Sequence, residues 1–293
     1  MLSYVSSLVT HLFTSPPDAR TLQGRYKIAE DTKRRIPSII ASTPGASSLS
    51  MFYDEESCPT LPPLDKPPYP ASEVEVVNSD SFTAAQAILR NDPQTNVAVL
   101  NLASDEYPAG GWDFTLSRTQ EEALCYSSTL YSTLTSSYYP WPNLGPGSIA
   151  GIYSPAIVVF KDNLDHNCVD LPVSDRVVVG VMTVAAPRRP ELTPDGLSFV
   201  NESDIHDLQG KIRLVFRMAG KDGKDSLVLG AMGCGAYRCP PKFVAEGMKK
   251  IILEDEFKGR FKKIVFAVYS SENNGPSNFT VFKEAYEGFV INH

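Results

Sequence analysis

Two stretches of the chain concentrate groups that could do chemistry. The first runs Asn101-Leu-Ala-Ser-Asp-Glu-Tyr-Pro-Ala-Gly-Gly-Trp112 and is followed, after a short loop, by Gln120-Glu121-Glu122. Adjacent carboxylates beside glycines suit hydrolysis. One can protonate a leaving oxygen or orient a water, while Gly110 and Gly111 let backbone approach a bulky ligand. A plainer assignment competes with this: Pro108 to Gly111 is a turn, and Thr119 with Glu122 makes a capping box at the start of a helix whose glutamates are solvated.

The second stretch is Leu227-Val-Leu-Gly-Ala-Met-Gly-Cys-Gly-Ala-Tyr-Arg-Cys-Pro-Pro241, with three glycines after an apolar run and a helix expected after Pro241. Freed backbone N–H groups together with a helix N-terminus suit a diphosphate, and Tyr237 is placed to cover it. No Gly-Lys-Ser/Thr ends the run, so it is not a Walker A loop, and its glycines do not match a dinucleotide fingerprint. A tight strand-to-helix turn around small residues is again the plainer alternative. Two such loops at like ends of strands make it less economical.

The elements that must position these loops follow from hydrophobic pattern. Strand-like runs are expected at 73–78, 97–104, 156–161, 176–185, 226–232 and 262–269. Helix-compatible stretches lie at 81–90, from Thr119 to Leu134, and at 205–219, 241–257 and 279–286. Their alternation predicts a three-layer α/β domain over 71–293 with a central mixed sheet flanked by helices. Ahead of it, residues 1–70 are read as an extension. It comprises a weak amino-terminal helix, one or two helical turns in 20–40 that stop near Pro37, and a Ser/Pro-rich surface excursion over 42–70 that is either mobile or used as a flap.

Composition narrows the classes. With 42% hydrophobic and 21% charged residues in 293, the chain can bury a sizeable core and is not disordered throughout. Lys plus Arg is 27 against 34 for Asp plus Glu, a net charge of -7, which argues against a generally basic nucleic-acid surface but leaves room for a local anion pocket. The five cysteines are scattered without zinc-site spacing, so free thiols and no metal are expected. Cys234 is read as a small soft residue packed beneath the second glycine turn. The first residues lack a leader-like or membrane-spanning pattern, which predicts an intracellular protein of the nucleus or cytoplasm. His11, His166, His206 and His293 share no close spacing. Trp112 and the Tyr138-Tyr139-Pro-Trp141 cluster read more economically as packing than as base-stacking surfaces.

Taken together, Val99-Leu-Asn-Leu-Ala-Ser104, Pro108-Ala-Gly-Gly111, Gln120-Glu-Glu122, Leu229-Gly-Ala-Met-Gly-Cys-Gly-Ala-Tyr237 and Phe266-Ala-Val-Tyr269 resemble the microbial type of poly(ADP-ribose) glycohydrolase, a macrodomain family. The resemblance spans roughly Glu73 to Tyr286, and residues 20–40 look like that family's amino-terminal helix. It implies hydrolysis of ribose–ribose O-glycosidic bonds in poly(ADP-ribose), without a cofactor, with Glu122 as the catalytic acid and Glu121 holding ribose hydroxyls. It implies ligand contacts from Asn101, Ala109, Gly110, Gly111 and Gln120 on one side and from Gly233, Cys234, Gly235, Ala236 and Tyr237 on the other. The expected partners are poly(ADP-ribose), ADP-ribosylated proteins and ADP-ribose itself, with neither sequence-specific nucleic acid nor membrane, and a monomeric chain is expected. Asn273, Asn274 and Asn278 are positioned for polar contacts near an adenine.

Two departures from the family pattern bear on activity. Ala109 stands where the first of three glycines is usual. Its methyl is harmless with ordinary backbone angles and damaging if a left-handed conformation or ligand contact is needed. Tyr107 replaces an Asn, and an unmatched ribose hydroxyl would cost about 1 to 3 kcal/mol. A non-catalytic binder of ADP-ribose and a hydrolase of mono-ADP-ribosylated protein are the alternatives.

Overall fold

Val97–Leu102 forms the central strand β3, and its alternation places Val97 and Val99 in one apolar cluster and Ala98 and Leu100 in another. The computed structural model describes residues 16–270 and 278–292. The expected amino-terminal helix, His11, Asn273, Asn274 and His293 lie outside them. In chain order the strands are β1 (Met51–Tyr53), β2 (Ala71–Val77), β3, β4 (Gly151–Val159), β5 (Val177–Val184), β6 (Ser226–Leu229), β7 (Lys263–Ala267) and β8 (Ile291–Asn292). They make one sheet in the order β1-β4-β5-β3-β6-β7-β2-β8. The five strands from β5 to β2 run parallel, and the pairs β1–β4, β4–β5 and β2–β8 are antiparallel.

Helices cover both faces, so the fold is the expected mixed-sheet α/β sandwich. On one face α4 (Glu202–Lys221), α5 (Pro241–Ile252) and α6 (Asn278–Tyr286) bury Ile212, Val215, Val244, Met248 and Phe282 against Leu100, Leu229, Ile264 and Phe266. On the other, α1 (Leu22–Ser42), α2 (Ser81–Asn91) and α3 (Gln120–Ser127) set Ile28, Ala85, Ile88 and Leu124 against Val99, Val181, Val228 and Val265.

The amino-terminal part differs from expectation. α1 is one 21-residue helix that runs through Pro37. Proline removes one backbone donor, but Ile36 and Ile39 on either side of it are buried, the latter against Val158 and Phe160. The 42–70 segment is no flap over the ligand cavity, because none of its residues lines it. Its β1 extends the sheet beside β4, and Leu61 N–H donates to Glu256 while Arg217 donates to Thr60. A boundary at residue 70 therefore does not divide the chain into separate bodies. β4 begins earlier than expected and changes register between Ser154 and Ile157, around Pro155, which cannot donate to a ladder.

Candidate active site

β3 ends by directing Asn101 toward α3, as the alternation from Val97 and Val99 requires. The Asn101 amide donates to Glu121 Oε1 at 3.1 Å and to Thr183 Oγ1 at 3.2 Å. Just past the strand Ala103 N–H bonds Val184 O, so the even-numbered backbone groups face β6, whose pairing with β3 stops at Val99. Gln120 takes over there: its Oε1 accepts from Leu102 N–H, and its Nε2 donates to Leu100 O and to Ser81 Oγ. The glutamine thus locks the first turn of α3 to the end of β3, its amide fully engaged by protein.

That lock carries Glu121 and Glu122 to the floor of a cavity of about 990 Å³. Both are buried, 3% and 4% exposed, which removes the solvated-helix alternative. The capping box does not form either. Thr119 is the N-cap residue but makes no side-chain bond to the helix backbone. Its hydroxyl donates to Glu122 Oε2, and Glu122 Oε1 accepts from Gly111 N–H at 2.8 Å. The glutamate that would cap the helix is held instead by the glycine loop. Glu121 accepts from Ser104 N–H at 2.8 Å, and burial pushes its carboxyl up to about 8, against the pull of that N–H and the Asn101 amide.

The glycine loop is shaped to touch these carboxylates. Ala109 (φ 58°) and Gly110 (φ 56°) are both left-handed. A Cβ on Gly110 would come within 2.8 Å of Glu122 Oε1 and 2.9 Å of Glu121 Oε2, so only glycine fits. From behind, Arg25 of α1 donates to Leu116 O at 2.5 Å and to Ala19 O at 2.8 Å. Lys33 pairs with Asp113 and lies 5.2 Å from the centre of the buried Trp112 ring.

The second loop forms another part of the cavity wall through Gly233, Gly235, Ala236 and Tyr237. Among the described residues, the N–H groups of Gly235, Ala236 and Tyr237 have no hydrogen-bond partner, as an anion cradle requires. Gly233 (φ 74°) sits so close to Ala186 and Cys239 Sγ that a Cβ would lie 2.6 Å from each. Cys239 therefore packs directly beneath Gly233, while Cys234 packs against the core with its thiol toward Met232 O.

Three residues expected at the ligand stand behind the wall. Ala109 is fully buried in the apolar cluster with Trp112, Asn101 is fully buried with its amide nitrogen on Glu121 and Thr183 and its Oδ1 without a partner, and the Cys234 side chain does not line the cavity. Cys234 contributes backbone, its carbonyl accepting from Asn278. Trp112 and Trp141 are core residues, 0% and 5% exposed. Tyr107 and Tyr269 also line the cavity, and other lining groups were not singled out by sequence: Arg118, Arg188 and the exposed ring of Phe114, which packs edge-on against Tyr107. Arg188 follows β5, a third strand ending at the same edge of the sheet, and that position was the available signal.

The sequence matches the family model for the microbial-type PARG (poly(ADP-ribose) glycohydrolase) catalytic domain over residues 21–162. A solved poly(ADP-ribose) glycohydrolase from Thermomonospora curvata superposes with a TM-score of 0.74 at 26% identity, covering 90% of this chain and 99% of that one. Over residues 21–162 the chain resembles the microbial-type PARG catalytic domain. A Deinococcus radiodurans poly(ADP-ribose) glycohydrolase, solved with ADP-ribose, is similar at a TM-score of 0.67 and 26% identity, over 87% and 98% of the two chains. The Thermomonospora enzyme bound to the inhibitor ADP-HPD gives 0.70 at 26% identity, over 89% and 99%. No curated protein sequence matches. The matched segment includes α1, consistent with the bracing of the glycine loop by Arg25 and Lys33. Its likeness to glycohydrolases supports glycosidase activity in general.

Proposed function

We propose that the protein hydrolyses ribose–ribose O-glycosidic bonds of poly(ADP-ribose), with Glu122 as general acid and base. The observation that carries this reading is the pair of adjacent buried carboxylates on the cavity floor, with Glu122 held by Gly111 N–H and the Thr119 hydroxyl. Glu122 donates a proton to the leaving ribose oxygen as the glycosidic C–O bond breaks and positive charge grows on the anomeric carbon. The resulting carboxylate then takes a proton from the attacking water, which returns Glu122 to its starting state.

Glu121 supports this step from the position beside Glu122. Its carboxyl, raised to about 8 by burial, is largely protonated at neutral pH. It can therefore bond ribose hydroxyls without a full negative charge of its own. The unpaired amides of Gly235, Ala236 and Tyr237 are placed to hold a diphosphate, and Gly110 and Gly111 give the sugar close access. The proposed partners are accordingly poly(ADP-ribose) chains and the ADP-ribose released from them.

The test is Glu122→Gln, which keeps the shape and removes the transferable proton. The variant is expected to bind ADP-ribose in calorimetry and to lose release of ADP-ribose from poly(ADP-ribosyl)ated protein. Undiminished release would overturn the assignment. Binding without release by the unaltered protein would make it a non-catalytic ADP-ribose binder, and release from mono-ADP-ribosylated protein alone would change the substrate.

A further inference from the structure

The cavity wall contains a buried carboxylate for which the proposed chemistry has no use. Asp105 is 3% exposed and does not itself line the cavity. Its side chain accepts from three groups on three different loops: Arg188 Nη2 at 2.6 Å, Asn143 Nδ2 at 3.1 Å and the Tyr237 hydroxyl at 3.1 Å. Arg188 belongs to the loop after β5, Asn143 to the loop before β4, and Tyr237 to the glycine loop after β6. Asp105 itself lies on the loop that leads from β3 to Gly110. One carboxylate therefore joins four loops that leave separate elements.

The partners are tied to each other as well. Arg189 N–H donates to Tyr237 O at 2.7 Å, and Arg188 N–H donates to Asn143 Oδ1 at 2.6 Å. The buried Lys211 of α4 holds Asn143 from below through its carbonyl at 2.6 Å. The Arg188 guanidinium reaches Glu106 with its other arm at 2.5 Å and lies 5.4 Å from the centre of the Tyr237 ring. The Tyr237 ring is thus fixed by its hydroxyl at one end and by a cation over its face. Its own loop offers no comparable constraint, since Gly235 and Ala236 beside it are exposed.

We propose that Asp105 is a positioning residue that clamps the diphosphate loop to the glycine loop, fixing Tyr237 and Arg188 against the bound ADP-ribose. The proposal rests on the reading that the cavity takes ADP-ribose. Asp105 touches no substrate; it acts through the ring and the guanidinium that do line the cavity. Because Arg188 is already neutralised by Asp105 and Glu106, its contribution is placement of Tyr237 and not free positive charge. An ordered aromatic wall lowers the cost of ordering the site when ligand binds, and its loss is read mainly in affinity.

The test uses the full chain and four proteins: wild type, Asp105→Asn, Tyr237→Phe and the double variant, each assayed for ADP-ribose affinity by calorimetry, steady-state kinetics on poly(ADP-ribose) and melting temperature. Tyr237→Phe keeps the ring and removes only the tether, so it stays informative if Asp105→Asn fails to fold. Each single variant is expected to weaken ADP-ribose binding, by about three- to tenfold for Tyr237→Phe and more for Asp105→Asn, with the loss falling on KM more than on kcat. The double variant is expected to be no weaker than Asp105→Asn, because both changes cut the same tether. Wild-type affinity in a folded single variant, or losses that multiply in the double, overturns the clamp alone. A wild type that does not bind ADP-ribose overturns the parent reading and the clamp with it.

Discussion

Gly110→Ala isolates the closeness of the glycine loop to the carboxylates. Gly110 has φ 56°, so an alanine there costs roughly 1 kcal/mol of backbone strain. The new methyl would also stand 2.8 Å from Glu122 Oε1 and 2.9 Å from Glu121 Oε2. An ordinary carbon–oxygen contact is ~3.3 Å, so each carboxylate oxygen must retreat by roughly half an ångström. For Glu122 that retreat strains the 2.8 Å bond from Gly111 N–H that aims it. Since a 1 Å misplacement costs on the order of a hundredfold in rate, the variant is expected to lose at least about tenfold in kcat on poly(ADP-ribose). The control is Gly45→Ala. Gly45 is also left-handed, at φ 78°, but nothing lies within 4 Å of its would-be Cβ. Equal melting-point losses in the two variants, with the kcat loss in Gly110→Ala alone, fit the argument. A Gly110→Ala protein with wild-type kcat would refute it.

Two further outcomes follow from the same geometry. Glu121 has its folded pKa raised to about 8 from the ordinary glutamate value of 4.5, so between those values the folded state holds a proton that the unfolded state has lost. Its contribution to stability therefore falls as pH rises from about 4.5 to about 8, by up to ~1.4 kcal/mol per unit. Glu121→Gln should flatten that slope in denaturant titrations across pH 5 to 8, and an unchanged slope would show that the carboxyl is not so raised. Ala109→Gly relieves a left-handed alanine at φ 58° but deletes a fully buried methyl, 0% exposed. These effects are each about 1 kcal/mol and opposite in sign, so chemical denaturation should show a net change well under that size. A loss above about 2 kcal/mol would overturn this balance and make the packing of the methyl the larger effect.

Much of the fold and the centre of the site were legible from local pattern. The apolar run through Val97 to Leu102 identified a buried strand, and period-two alternation is enough to send Asn101 to the same face as Val97 and Val99. Two glycine-rich loops at like ends of strands, with a Gln-Glu-Glu triplet between them in the chain, marked the cavity. These features are written in neighbouring residues, because strand pleat, glycine freedom and helix entry are local properties of the backbone.

What local pattern could not decide depends on partners far along the chain. Thr119 and Glu122 have the spacing of a capping box, yet Gly111 captures the glutamate and turns a capping residue into the candidate acid. Pro37 reads as a helix end, but burial of Ile36 and Ile39 carries α1 past it and so helps place that helix behind the glycine loop. Cys239 had no assigned place in the sequence, yet it lies under Gly233, because the chain turns back there beneath residues that follow β5. Asp105 reads as one more loop carboxylate until three other loops converge on it. Residue type and short spacing determined which groups could react; only the tertiary structure decided which were desolvated and which partners held them, since burial and hydrogen bonding across distant segments are properties of the packed chain.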